Sequence, residues 1–154
     1  MLKNTDIRIG NIIANGIEYK DTSVIGKVLS IGNDEDENEQ ILCECSESFE
    51  WFFKDNYCGV PLTGEWHEKF GAEKNGFLEY IYDISRFKNS DLFLVFSGDY
   101  LYIREYGEIN RIKVPTDLIC LWNKDLKKEF YVHEFQNLYQ LITGKELILK
   151  NKII

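Results

Sequence analysis

The chain has 154 residues, of which 44% are hydrophobic and 14% aromatic, and a net charge of −8. That is enough apolar material for one domain with a core, and too much for a disordered chain. No apolar run approaches the ~20 residues of a membrane span, and Met1 to Asp6 lack the apolar stretch of a signal peptide, so a cytoplasmic chain with reduced cysteines is expected.

The N-terminal sixty residues read as short strands and tight turns. Ile7, Ile9, Ile12 and Ile13 open them, Asn15-Gly16 is a two-residue hairpin signal, and Glu18 to Ile31 continues as extended chain with a break near Gly26. Gly32-Asn33 opens an acidic loop, after which Ile41, Cys43 and Cys45 share one face. Phe49, Trp51 and Phe53 alternate with Glu50 and Lys54, the pattern of a half-buried strand with its aromatic face inward. Strands this short suggest a small SH3-like β unit. Leu62, Trp66 and Phe70 recur at helical spacing behind Thr63 and before Gly71, which predicts a two-turn helix.

Leu78, Tyr80, Tyr82 and Ile84 share the face of a following strand. Leu92 to Phe96 and Tyr100 to Arg104 flank a turn at Ser97-Gly98-Asp99, and Tyr106-Gly107 turns the chain again into Ile109 to Val114. Leu118 to Trp122 is a further strand. Connections this short make an antiparallel meander. Residues Leu126 to Val132 fit strand or helix, a helix is predicted from about His133 to Thr143 with Gly144 as its stop, and Lys145 to Lys150 reads as a closing strand. The expected fold is α+β and mainly antiparallel. It is taken as a single domain, 1–154, with 1–60 an SH3-like β subunit and 61–154 a helix, a β-meander and a C-terminal helix packed on the sheet.

The stretch Val132-His133-Glu134-Phe135-Gln136-Asn137-Leu138-Tyr139-Gln140-Leu141-Ile142-Thr143-Gly144-Lys145-Glu146-Leu147 resembles the closing signature V-H-x-L-Q-N-L-Y-x-x-L-T-G-x-E-L of a family of small bacterial and phage proteins. Arg8-Ile9-Gly10-Asn11 resembles its opening R-I-G-N, and Pro61 to Gly71 its central P-L-T-x-x-W-L-x-K-F-G. The chain departs from the pattern at Phe135 and Ile142, where leucine is usual, and at His67, where an apolar residue is usual. Residues 75–128 have no counterpart. The resemblance implies a phage or mobile-element setting and supplies no catalytic residues.

Charge is the most informative property for function. Residues Asp34 to Glu68 hold 11 acidic residues and one basic residue, a local charge of −10, so the other residues together carry +2. Such a flank draws cationic partners and repels nucleic acid and anionic lipid. Its candidate partner-binding residues are Asp34, Asp36, Glu37, Glu44, Glu47, Glu50 and Asp55. Asp34, Asp36 and Asn38 imitate the start of a calcium loop, but Glu39 stands where glycine is needed and Cys45 where glutamate is needed.

On the last helix His133, Gln136, Asn137 and Gln140 form one polar face. The favoured reading is structural, with His133 and Asn137 capping the helix or hydrogen-bonding a neighbouring strand; the alternatives are a recognition stripe or, for His133, half an active site, although no nucleophile or paired acid is nominated. Cys43 and Cys45 are expected to be small buried side chains. The alternative is half a zinc site completed by two of Cys58, His67, Cys120 and His133. His67 is expected to be exposed. No nucleotide, zinc-protease or serine-hydrolase motif occurs.

The reading is a non-catalytic interaction module without cofactor or metal. It docks its acidic flank on a protein with a basic surface, with no nucleic acid or membrane partner, and in one form inhibits a host nucleic-acid-binding defence protein. One alternative is a small-molecule or single-strand binder using Tyr100, Tyr102 and Tyr106. The other is an enzyme using His133.

Overall fold

The structure, a computed structural model, describes residues 7–20, 22–53, 55–76, 79–85, 91–109, 112–125 and 129–150, with the backbone alone at residues 108 and 109. Among the described residues it is α+β and mainly antiparallel, with two five-stranded sheets and two helices. The chain forms two compact units, residues 1–62 with 130–154, and residues 63–129. The C-terminal helix therefore groups with the N-terminal strands, not with the meander that precedes it in sequence.

In the first unit β1 (Ile12–Asn15), β2 (Ile25–Asn33), β3 (Glu39–Glu44), β4 (Phe49–Phe53) and β5 (Tyr57–Gly59) pair in the order β4-β3-β2-β1-β5. This is a meander whose fifth strand returns beside the first; the SH3-like label goes beyond what that order establishes. Asn15-Gly16 does not make a two-residue turn. Asn15 N–H donates to the Val24 carbonyl and Gly16 N–H to the Asn56 carbonyl, so tertiary bonds hold a longer loop open. Gly26 does not break β2 either. A Cβ there would lie 2.6 Å from Cys43 Cβ, so glycine is what lets β2 and β3 approach. Ile13, Val28, Ile41, Cys43 and Phe52 are fully buried between the strands.

Helix α2 (Val132–Thr143) packs beside β1. Glu134 Oε2 accepts from the Tyr131 N–H at 3.1 Å at its start, and Gly144, at φ 71°, ends it by donating to the Gln140 carbonyl. Tyr131 bridges Pro61, and its ring lies where a Cβ on Gly59 would sit. Lys145 to Lys150 form no strand.

In the second unit α1 (Gly64–Lys69) buries Trp66 and is followed by β6 (Glu73–Asn75), β7 (Glu79–Asp83), β8 (Leu92–Ser97), β9 (Tyr100–Ile109) and β10 (Ile112–Asn123), ordered β10-β9-β8-β7-β6. Gly98 at φ 56° makes the two-residue turn between β8 and β9. Tyr106-Gly107 does not turn the chain: β9 runs through it, and the two predicted strands after it are one strand, β10, with two register shifts. Pro115 does not interrupt β10 because the strand lies at a sheet edge, where a missing N–H costs no ladder bond. Phe77, Leu78 and the ambiguous Leu126 to Lys128 lie outside the described residues.

Candidate functional site: the outer face of the acidic unit

The sequence predicted Phe49, Trp51 and Phe53 inside; they are outside. β3 sets their direction. Ile41 pairs with Phe52 and Cys43 with Glu50, so Phe52, wholly buried, and Glu50, half-buried, take the inner face. Phe49, Trp51 and Phe53 alternate with them and stand 68%, 46% and 51% exposed. Across from them on β3 lie Glu44, Leu42 and Gln40. The result is an aromatic stripe on an edge strand, with Glu44 and Glu47 near one end and Asp55 near the other. Lys27 on β2 stands opposite Glu44, so part of that carboxylate's field is already balanced.

The seven acidic candidates divide. Asp36, Glu37, Glu44, Glu47 and Asp55 are exposed. Asp34 is tied to its own turn: Oδ1 accepts from the N–H groups of Asp36 at 3.0 Å and Asn38 at 2.8 Å. Glu37 completes that turn at φ 62°. Glu50 accepts from Ser48 Oγ at 3.1 Å. Glu39, also in the acidic loop, accepts from the Tyr57 hydroxyl at 2.8 Å. Burial, then the Glu39 bond and charge, raise the Tyr57 pKa.

On the polar face of α2, His133 and Gln136 are buried and Asn137 and Gln140 half-buried. His133 is 0% and Gln136 7% exposed. The Ile12 N–H donates to Gln136 Oε1 at 2.9 Å, while Gln136 Nε2 donates to the Gly10 carbonyl at 3.0 Å. Asn137 Oδ1 accepts from Arg8 Nε at 2.8 Å, Arg8 Nη2 at 2.6 Å and Asn11 Nδ2 at 2.9 Å. The Arg8 N–H in turn donates to Asn11 Oδ1 at 2.8 Å. The opening R-I-G-N and the Gln136-Asn137 pair thus lock one another across the chain, and their chemistry is that of an architectural joint. Gln140 and Gln136 also line a cavity of about 360 Å³ with Arg8, Lys27 and Glu146.

Cys43 and Cys45 are buried and share a face. Burial above all, with Cys45 and Glu50 nearby, pushes the Cys43 thiol up to about 12, and burial likewise raises Cys45. Such thiols stay protonated and are poor nucleophiles. Among the described residues no group of three or more His, Cys, Asp or Glu side chains is placed to hold a metal.

In the second unit His67, expected to be exposed, is 1% exposed. It stacks on Tyr80 at 4.6 Å, lies 4.6 Å from the Phe96 ring, and has Nδ1 2.8 Å from the Tyr82 hydroxyl oxygen. Burial holds its pKa down at about 3. Tyr100 and Tyr102 stack at 5.7 Å on one face of β9, while Tyr106 turns edge-on to Phe93. Arg104 joins Asp117 at 2.6 Å and Glu79 at 3.1 Å.

No family model, no curated protein and no solved structure matches the chain. Among the described residues no helix is long and apolar enough to cross a membrane.

Proposed function

We propose that this chain is a non-catalytic protein-interaction module that docks its acidic flank on a basic surface of a protein partner. The observation that carries the reading is the outward stripe Phe49-Trp51-Phe53 set among exposed carboxylates. Exposed aromatics supply contact area, and the surrounding charge selects a cationic surface and speeds the encounter. The burial of His133 supports a structural role for that imidazole over a catalytic one. The resemblance to small bacterial and phage proteins adds a setting: a phage- or mobile-element-borne module acting on a host protein. One form is inhibition of a nucleic-acid-binding defence protein, with carboxylates standing where phosphates would bind.

The test is affinity capture from host lysate at low and high salt. The wild type is compared with a variant carrying Asp36→Asn, Glu37→Gln, Glu44→Gln and Glu47→Gln. Asp34 is left intact because it holds its turn. The reading expects a basic protein retained by the wild type, released by salt and lost by the variant, and rebinding after purification. Equal capture by both chains at both salts overturns it.

A second reading, a small-molecule or single-strand binder, is favoured by the stacked Tyr100 and Tyr102. Tyr102→Ala should abolish such binding, and the neutralised acidic variant should leave it intact.

A further inference from the structure

We infer that β4 is the strand on which the partner adds. An extended, lysine- or arginine-rich segment pairs with its open edge, and Phe49, Trp51 and Phe53 lie against the incoming basic side chains. The inference rests on the acidic-docking reading and names the chemistry and mode of the partner.

Three observations carry it. First, among the described residues β4 ends the strand order of its sheet. Alternate residues of an edge strand turn their N–H and C=O groups away from the sheet, a ready template for another strand. Second, β4 lacks most of the features that blunt such edges, its inward-facing, half-buried Glu50 being the exception. Its sequence Phe-Glu-Trp-Phe-Phe has no proline, no cation and no bulge against β3. The edge strand of the other sheet, β10, carries Lys113, Pro115 and two register shifts, and β5, the other edge of this sheet, has only 3 residues. Third, a strand added to β4 places its side chains beside Phe49, Trp51 and Phe53 at about 5 Å, close enough for cationic groups to stack on the rings.

Charge decides the occupant. Residues Asp34 to Asp55 hold 9 acidic residues against Lys54 alone. A second copy of this chain would bring the same charge to the same edge, and an acidic strand would be repelled. A basic strand gains both attraction and ring contact.

The experiment titrates the full chain by NMR with the peptide Lys-Val-Lys-Val-Lys-Val-Lys and with its glutamate counterpart. Two further versions are N-methylated on the backbone at every lysine or at every valine. The expected result is a shift of the β4 amides and the Trp51 indole by the lysine peptide and none by the glutamate peptide. One N-methylated version should bind about tenfold more weakly and the other almost unchanged, because only one set of N–H groups faces β4. Trp51→Ser should weaken binding by about tenfold with the fold intact. No response of β4 to the lysine peptide, or equal binding of both methylated versions, overturns strand addition. If charge-dependent binding persists without regard to methylation or Trp51, strand addition fails while acidic docking stands. If partner capture is also insensitive to salt and to the neutralised carboxylates, both fail.

Discussion

Two buried polar side chains, Gln136 in the first unit and His67 in the second, are held by different means. In the first, Gln136 enters the interior and meets backbone: the Ile12 N–H and the Gly10 carbonyl. In the second, His67 enters and meets rings: Tyr80, Tyr82 and Phe96. An amide carries no charge at any ordinary pH, so its bonds are insensitive to acid. An imidazole held among rings is stable only while neutral. The Gln136 joint should therefore be sensitive to loss of shape and hydrogen bonding, and the His67 site to protons.

The largest effect tests the first half of that contrast. Gln136→Leu keeps the volume but leaves a donor on Ile12 and an acceptor on Gly10 without their side-chain partner. A buried group so abandoned costs about 1–3 kcal/mol, and the Gly10 bond is only part-buried, so the pair should cost about 2–4 kcal/mol. Denaturant unfolding followed by signals of β1 and α2 measures it. A loss below about 0.5 kcal/mol would mean the amide is not part of the joint.

The second half is tested by pH. With its pKa lowered from 6.5 to about 3, the His67 ring stays neutral in the folded unit while the unfolded chain takes up a proton below pH 6.5. The unfolded state then binds more protons, so stability falls as pH falls through that window, by about 1.4 kcal/mol per pH unit once below 6.5. His67→Phe should remove this slope. The readout is the wild-type minus variant difference between about pH 6.5 and pH 5, above the range in which ordinary carboxylates titrate. Parallel curves would show that the ring is protonated in the folded state.

These contrasts also mark how far the sequence could be read. The α2 boundaries, the Gly144 stop and the Gly98 hairpin rest on local chemistry, and local chemistry was sufficient for them. The direction of β4 was not local. Phe-Glu-Trp-Phe-Phe offers an aromatic residue to either face, and counting rings favours Phe49, Trp51 and Phe53. The cross-strand partners Ile41 and Cys43 decide for Phe52 instead. The partners of the polar side of α2 were not local either. Amphipathic periodicity assumes that polar residues face water, whereas Gln136 and Asn137 face Gly10, Ile12 and Arg8, more than a hundred residues away in the chain.

A smaller effect separates charge from packing in the second unit. Arg104 holds Asp117 and Glu79 from a side chain only 12% exposed, but its partners are 42% and 25% exposed. Arg104→Gln should cost about 1 kcal/mol, since solvent already screens much of the attraction. The loss should shrink in about 1 M salt. An unchanged loss at high salt would assign it to the packed arginine stem.

The smallest effect is the one that bears most on function. Trp51 is large and apolar, yet it stands on the water side of β4, 46% exposed. If it belonged to the core, Trp51→Ser would cost about 3–5 kcal/mol, as large-to-small changes inside do. On an outer face the change should stay within about 0.5 kcal/mol, measured by denaturant unfolding. Keeping a tryptophan in water brings the isolated chain almost no stability and raises its risk of aggregation. A stability loss near zero, together with loss of peptide binding in the same variant, would show that the side chain serves contact with a partner. A loss of several kcal/mol would return β4 to the orientation its sequence suggests and remove the platform on which strand addition depends.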